Sequence, residues 1–137
     1  MAERKEPMME FTQHGRITVG TVRTASVLST NNVSDFGREL FEHVDKHAHI
    51  NLLLNFERVE YLSSAVLTEL LRVHKAITGK GGRLRISGIS PVIHEVFQIT
   101  NLDRIFSVHE EDVDTGIQRL ERALDIAEED RAWSDQS

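Results

Sequence analysis

The stretch Val59-Glu60-Tyr61-Leu62-Ser63-Ser64-Ala65-Val66-Leu67-Thr68-Glu69-Leu70-Leu71 decides the fold. Two adjacent hydroxyls stand where an extended apolar segment gives way to an amphipathic helix, whose stripe is Val66, Leu67, Leu70, Leu71 and Ile77. The first N–H groups of such a helix lack internal partners and carry partial positive charge, so this end favours an anion, including a phosphate borne by the serine itself.

Upstream, residues 50–56 are too short for an independent helix and rich in aliphatics, which predicts a strand covered on both faces. Downstream, Gly79, Gly81 and Gly82 end the helix, and Arg83-Leu84-Arg85-Ile86-Ser87 alternates as the next strand. Strand, crossover helix and strand form a βαβ unit with parallel neighbours. Working outward, residues 16–22 alternate as a half-buried strand and residues 25–28 follow as a short extended piece. Asn31, Asn32 and Ser34 offer capping side chains at the start of the stripe Val33, Phe36, Leu40 and Val44, which predicts a helix ending near His47. Ser90-Pro91 starts a short helix ending near Thr100. Residues 105–108 supply a last strand, and Val113, Ile117, Leu120, Leu124 and Ala127 a terminal amphipathic helix. The expected domain spans residues 11–127, between an N-terminal tail at 1–10 and a flexible C-terminal tail at 128–137. The fold class is α/β: a small mixed, largely parallel sheet with helices packed on it.

A chain of 137 residues accommodates one domain with a real core. Its net charge of -6 argues against nucleic acid as a partner. The absence of cysteine excludes disulfides, thiolate zinc sites and cysteine nucleophiles, and fits a cytoplasmic location. No segment has the apolar length of a bilayer span or of a secretory signal, so no membrane insertion is expected.

With these elements in order, the chain resembles the STAS domain of bacterial anti-sigma factor antagonists. The resemblance rests on Leu52-Leu53-Leu54-Asn55-Phe56, Tyr61-Leu62-Ser63-Ser64-Ala65, the turn from Gly79 to Leu84, Ser90-Pro91, and the segment Val96-Phe97-Gln98-Ile99-Thr100-Asn101-Leu102-Asp103-Arg104-Ile105-Phe106. It implies a binding switch rather than an enzyme, with no cofactor. In such proteins the first hydroxyl of an Asp-Ser-Ser/Thr-Gly-Leu junction is phosphorylated by a partner that is both serine kinase and anti-sigma factor, and the phosphate breaks their contact. The implied phosphorylation site is Ser63, with Ser64 as second choice. The implied partner-binding face comprises Ser29, Thr30, Asn31, Tyr61, Leu62, Ser63, Ser64, Ala65 and Val66. The family's aspartate and glycine are replaced by Leu62 and Ala65, and Ser29 stands where a second acidic residue is common. Leu62 and Ala65 favour the alternative, an unphosphorylated scaffold or adaptor in a stress-signalling complex or beside a lipid-transport ATPase, while the hydroxyls retained at positions 63 and 64 keep the switch as the leading reading.

Three other constellations carry less. His43 and His47 have the i, i+4 spacing of helical zinc ligands but lack a second motif, so they are read as helix-end residues and no metal is expected. A hydrolase triad of Ser63 with His74, His94 or His109 and Asp103 lacks the Gly-x-Ser-x-Gly elbow. Glu110, Glu111, Asp112 and Asp114 match the dipole at the start of the last helix. The near-heptad spacing of that helix also permits pairing with another helix, leaving a homodimer open.

Overall fold

The computed structural model describes residues 7–23 and 27–136. Its strands are β1 (Met9–His14), β2 (Ile17–Val22), β3 (Val27–Leu28), β4 (Asn51–Asn55), β5 (Tyr61–Leu62), β6 (Arg83–Ser87) and β7 (Ser107–Val108). Its α-helices are α1 (Val33–Asp45), α2 (Ser64–Gly79), α3 (Pro91–Ile99) and α4 (Val113–Gln136). Five strands form one sheet in the order β1-β2-β4-β6-β7, parallel except for β1. This is the expected mixed, largely parallel α/β architecture.

The central strand β4 explains the layering. Leu52 and Leu54 point into a large core shared with α1, α2 and α3, whereas Leu53 points into a smaller core with Ile17, Val19, Leu120 and Leu124. All three leucines are fully buried, as an unbroken aliphatic run between two helical layers requires. Helices α1, α2 and α3 therefore lie on one face of the sheet and α4 on the other.

The structure corrects the sequence reading at its margins. That reading starts the sheet at Arg16, yet β1 begins at Met9 and pairs antiparallel with β2 from Met9↔Val22 to His14↔Ile17. Met8 and Met9 are core residues, and the Glu39 carboxylate on α1 accepts hydrogen bonds from both of their backbone N–H groups, each 3.0 Å. The strand was hidden because its alternation is short and its pairing is made by a hairpin through Gly15, at φ +61°. At the other end α4 runs through Gln136, so residues 128–136 continue the helix rather than leave it. The extended piece expected at 25–28 is described only as Val27–Leu28, Ala25 lying outside the described residues. Residues 1–6 and Ser137 also lie outside them. The last strand is shorter than expected, because a 3₁₀ turn at Leu102–Arg104 opens on left-handed Asn101 and holds Ile105 out of the sheet.

The acidic run before α4 divides into three roles. Asp112 caps the helix, its Oδ1 accepting from Thr115 N at 2.7 Å, and Glu110 meets His94 Nδ1 at 2.7 Å. Glu111 turns inward instead. Its carboxylate accepts from Arg85 Nε (2.7 Å), Arg85 Nη2 (2.6 Å), Ser87 Oγ (2.6 Å) and Arg119 Nη1 (3.2 Å). This network ties α4 to β6 beneath the helix's first turn. The signal in the sequence was Arg85 and Ser87, polar residues on a strand with a helix on each face, which call for a buried acid.

Candidate functional site

The junction between β5 and α2 is positioned by a second, two-stranded sheet. β3 pairs parallel with β5, with Val27 opposite Tyr61 and Leu28 opposite Leu62. Ser63 N then donates to Leu28 O at 2.9 Å. The turn at residues 29–32 is thereby held beside the N-terminus of α2. Its shape is fixed locally: Asn32 Oδ1 accepts from Ser29 N at 2.9 Å, and Ser29 O accepts from Asn32 N (3.1 Å) and Val33 N (2.9 Å). Asn32 thus shapes the turn and makes no side-chain cap to α1.

Two segments separated by some thirty residues in sequence meet here as one face. Thr30, Asn31, Tyr61 and Ser64 are exposed, and Ser29, Ser63 and Ala65 are half-buried. Leu62 and Val66 are corrections to the expected contact face. At 6% and 0% exposed, they belong to the core and are unavailable to a partner. The alternation of β5 and the helical stripe of α2 both turn these apolar side chains inward.

Ser63 is the N-cap of α2, with extended backbone at φ −88°, ψ 164°, and its carbonyl accepts from Val66 N (3.1 Å) and Leu67 N (3.3 Å). The switch implied by the resemblance requires its hydroxyl to be open to solvent. The structure covers it: among the described residues, Ser63 Oγ is the one buried side-chain oxygen or nitrogen without a hydrogen-bond partner. Ser64, at the first helical position, carries the exposed hydroxyl. No side chain caps α2 and no acid occupies its first turn, so its positive end is uncompensated.

This geometry sets an expectation for stability. Losing a bonded serine N-cap costs about 1 kcal/mol. Ser63 makes no such bond, so Ser63→Ala is expected to shift the unfolding free energy by less than about 0.5 kcal/mol. Urea unfolding checks this, and a full-sized loss would show that the hydroxyl caps the helix in solution.

The histidines are engaged elsewhere. His43 stacks on Phe11 with centroids 3.9 Å apart and on His47 at 4.4 Å, while His47 Nδ1 lies 2.8 Å from His43 O. His74 meets Phe106 edge-on, His94 pairs with Glu110, and His109 Nε2 lies 2.8 Å from Ser107 Oγ. Among the described residues, none of these contacts is with Ser63. Burial, aided by His47 and Lys46, lowers the His43 pKa; burial, aided by Arg85, lowers that of His109. In the unfolded chain both would take up protons near the ordinary value of 6.5. The folded protein binds fewer protons in that range, so stability is complete above it and declines as pH falls through it. Thermal unfolding at pH 7.5 and pH 5.5 should give the lower Tm at pH 5.5. His109→Gln together with His43→Gln should flatten the slope.

The fold is thus a layered, mostly parallel sheet with Ser63 and Ser64 at the turn that opens α2. The STAS domain family model matches residues 8–116, and the chain belongs to that family. It is 33% identical over 82 residues to BtrV of Bordetella bronchiseptica strain RB50, named as a candidate anti-sigma factor antagonist; the match covers 60% of this chain and 70% of BtrV. The fold is shared with an anti-sigma-factor antagonist (STAS) domain protein of Planctomyces limnophilus at TM-score 0.74 and 19% identity, covering 82% of this chain and 96% of that one. It is shared also with the phosphorylated form of the Bacillus cell fate determinant SpoIIAA, at TM-score 0.62 and 18% identity, covering 82% and 98%. Among the described residues no helix is long and apolar enough to cross a membrane.

Proposed function

We propose that the chain is an anti-sigma factor antagonist-like protein that acts by reversible binding, without catalysis, in the cytoplasm. Its partner is an anti-sigma factor that is also a serine kinase. The contact face is the turn at Ser29, Thr30 and Asn31 together with Tyr61, Ser63, Ser64 and Ala65. The observation that carries this reading is the Ser63 N to Leu28 O hydrogen bond, which joins the two segments beside an uncompensated helix end.

Phosphate on Ser63 switches the contact off. A phosphoserine adds about -1.5 to -2 charges at pH 7, which a docked partner would have to pair or desolvate. Ser63 is favoured over Ser64 because an N-cap oxygen reaches the second and third N–H groups of its helix, so the phosphate settles on the positive end of α2. A rotation about χ1 must first bring the covered hydroxyl out to the kinase. Ser64 is already accessible and is the second choice. BtrV, by its name, and SpoIIAA, known in phosphorylated and unphosphorylated forms, support the class of function.

The test captures the partner with wild type, Ser63→Ala, Ser63→Asp and Ser64→Asp. Ser63→Asp is expected to weaken capture at least about tenfold while Ser63→Ala binds as well as wild type. Equal capture by both Ser63 variants would reject that site, and loss confined to Ser64→Asp would move it by one residue. The covered Ser63 hydroxyl specifically favours a second reading, a constitutive adaptor that is never phosphorylated. Mass spectrometry of the protein from its native cells separates the two: phosphate on either serine supports the switch, and its absence under all growth conditions supports the adaptor.

A further inference from the structure

The outer face of α4 has no assigned role. Val113, Ile117, Leu120 and Leu124 turn one side of the helix to the sheet. Helical periodicity puts Arg119, Arg122, Ile126 and Trp133 together on the opposite side, with Asp130 at its edge, where it also borders a cleft lined by Arg16 and Arg83. Ile126 is 51% exposed and Trp133 75% exposed, the latter being the most exposed large apolar side chain among the described residues. Arg122 and Asp130 are also exposed, and neither has an ion-pair partner among the described residues.

The charges along this stripe are ordered, basic toward the start of α4 and acidic toward its end. We propose that the stripe is a self-association surface, on which α4 of a second copy lies antiparallel about a two-fold axis passing by Ile126. In that register Arg122, four residues before the axis, faces Asp130 of the other copy, four residues after it. Arg119, seven residues before, faces the other Trp133, seven residues after. Arg119 spends one N–H on Glu111 and is 61% exposed, so its guanidinium face is free to lie on the indole. The two Ile126 side chains meet at the centre. A parallel pair would instead put Arg122 against Arg122 and Asp130 against Asp130, so charge selects the antiparallel arrangement.

Two helices in contact over a few turns bury less than a standard interface, so the association is weak and depends on concentration. Because α1, α2 and α3 occupy the other face of the sheet, pairing through α4 leaves the serine turn of both copies open. The dimer presents two contact faces to a multivalent partner. The inference is independent of any modification at Ser63.

The experiment is sedimentation equilibrium of the full chain in low salt, from roughly 10 μM to about 1 mM, with Trp133 emission followed over the same range. Trp133 is the single tryptophan, so its emission reports this face alone. The mass is expected to rise toward two copies and the emission to shift to shorter wavelength as concentration increases. Trp133→Ala should weaken the dimer at least about tenfold. Arg122→Asp and Asp130→Arg should each weaken it by a similar factor, and the two together should restore it. All these positions are exposed, and circular dichroism confirms that the variants stay folded. A wild-type protein that remains monomeric throughout would overturn the inference, as would a dimer indifferent to Trp133→Ala or a charge swap that stays as weak as the single variants. Binding of this face only to a different protein would appear as the monomeric outcome.

Discussion

Glu111→Ala is expected to cost about 3–4 kcal/mol of unfolding free energy, the range for breaking a buried charge pair from one side. The side chains of Arg85 and Glu111 are 11% and 6% exposed, and their two hydrogen bonds form a fork. Removing the carboxylate leaves the Arg85 guanidinium charged without a partner, and it also strips the acceptor from Ser87 Oγ, a residue with no exposure. Burial alone would raise the Glu111 pKa, but the hydrogen bonds from Arg85 and Ser87, with the charge of Arg85, outweigh it and hold the carboxyl below its ordinary range. The charged form is thus the one that folding selects, and its contribution is present at neutral pH and lost as acid protonates it. Chemical denaturation at pH 7 measures the cost. Replacing Arg85 by leucine in the same molecule should recover part of it, because the orphaned cation is then gone. A loss under about 1 kcal/mol for Glu111→Ala would show that solvent takes over the pairing of Arg85.

Gly82→Ala is expected to lose about 3 kcal/mol through overpacking. A Cβ at this position would sit 2.2 Å from the carbonyl oxygen of Ile50 and 3.0 Å from Ile77 Cγ2. The carbonyl cannot swing away, since it accepts from Arg83 N at 3.0 Å where β6 begins beside β4. Gly82 N in turn donates to Ile77 O at 2.9 Å, which closes the end of α2. The added methyl must therefore push the α2–β6 turn off the sheet or break one of these bonds. Gly79 provides the control: a Cβ there meets nothing within 4 Å, and Gly79→Ala should be neutral or stabilising by up to about 1 kcal/mol. Paired urea unfolding curves of the two variants decide the matter, and equal effects would refute the steric account.

The candidate face shows where sequence reasoning reached its limit. The place of the serine pair at the start of α2 is readable from the helix stripe that begins at Val66 and from the hydroxyls just before it, because amphipathic spacing and capping chemistry are local; the turn at Ser29 to Asn31 enters only through the family resemblance. Which of those side chains faces out is not readable. Leu62 and Val66 share the junction but are drawn into the core, and whether the Ser63 hydroxyl is open or covered depends on how β5 lies against β3.

What the sequence determined by itself is the order and type of β2, β4, β6 and the helices α1, α2, α3 and α4, because periodicities of two and of 3.6, together with Ser90-Pro91 and the glycines after Ile77, act between near neighbours. What only the tertiary structure decided is the pairing that carries no local signal. β1 enters the sheet through partners in β2 and through Glu39 of α1. Glu111 leaves the acidic run at the start of α4 to meet Arg85, 26 residues away. Ser29 comes to stand beside Ser63 because β3 and β5 lie in register. In each case burial and hydrogen bonding between distant segments settle the outcome, and neither is encoded in the spacing of adjacent residues.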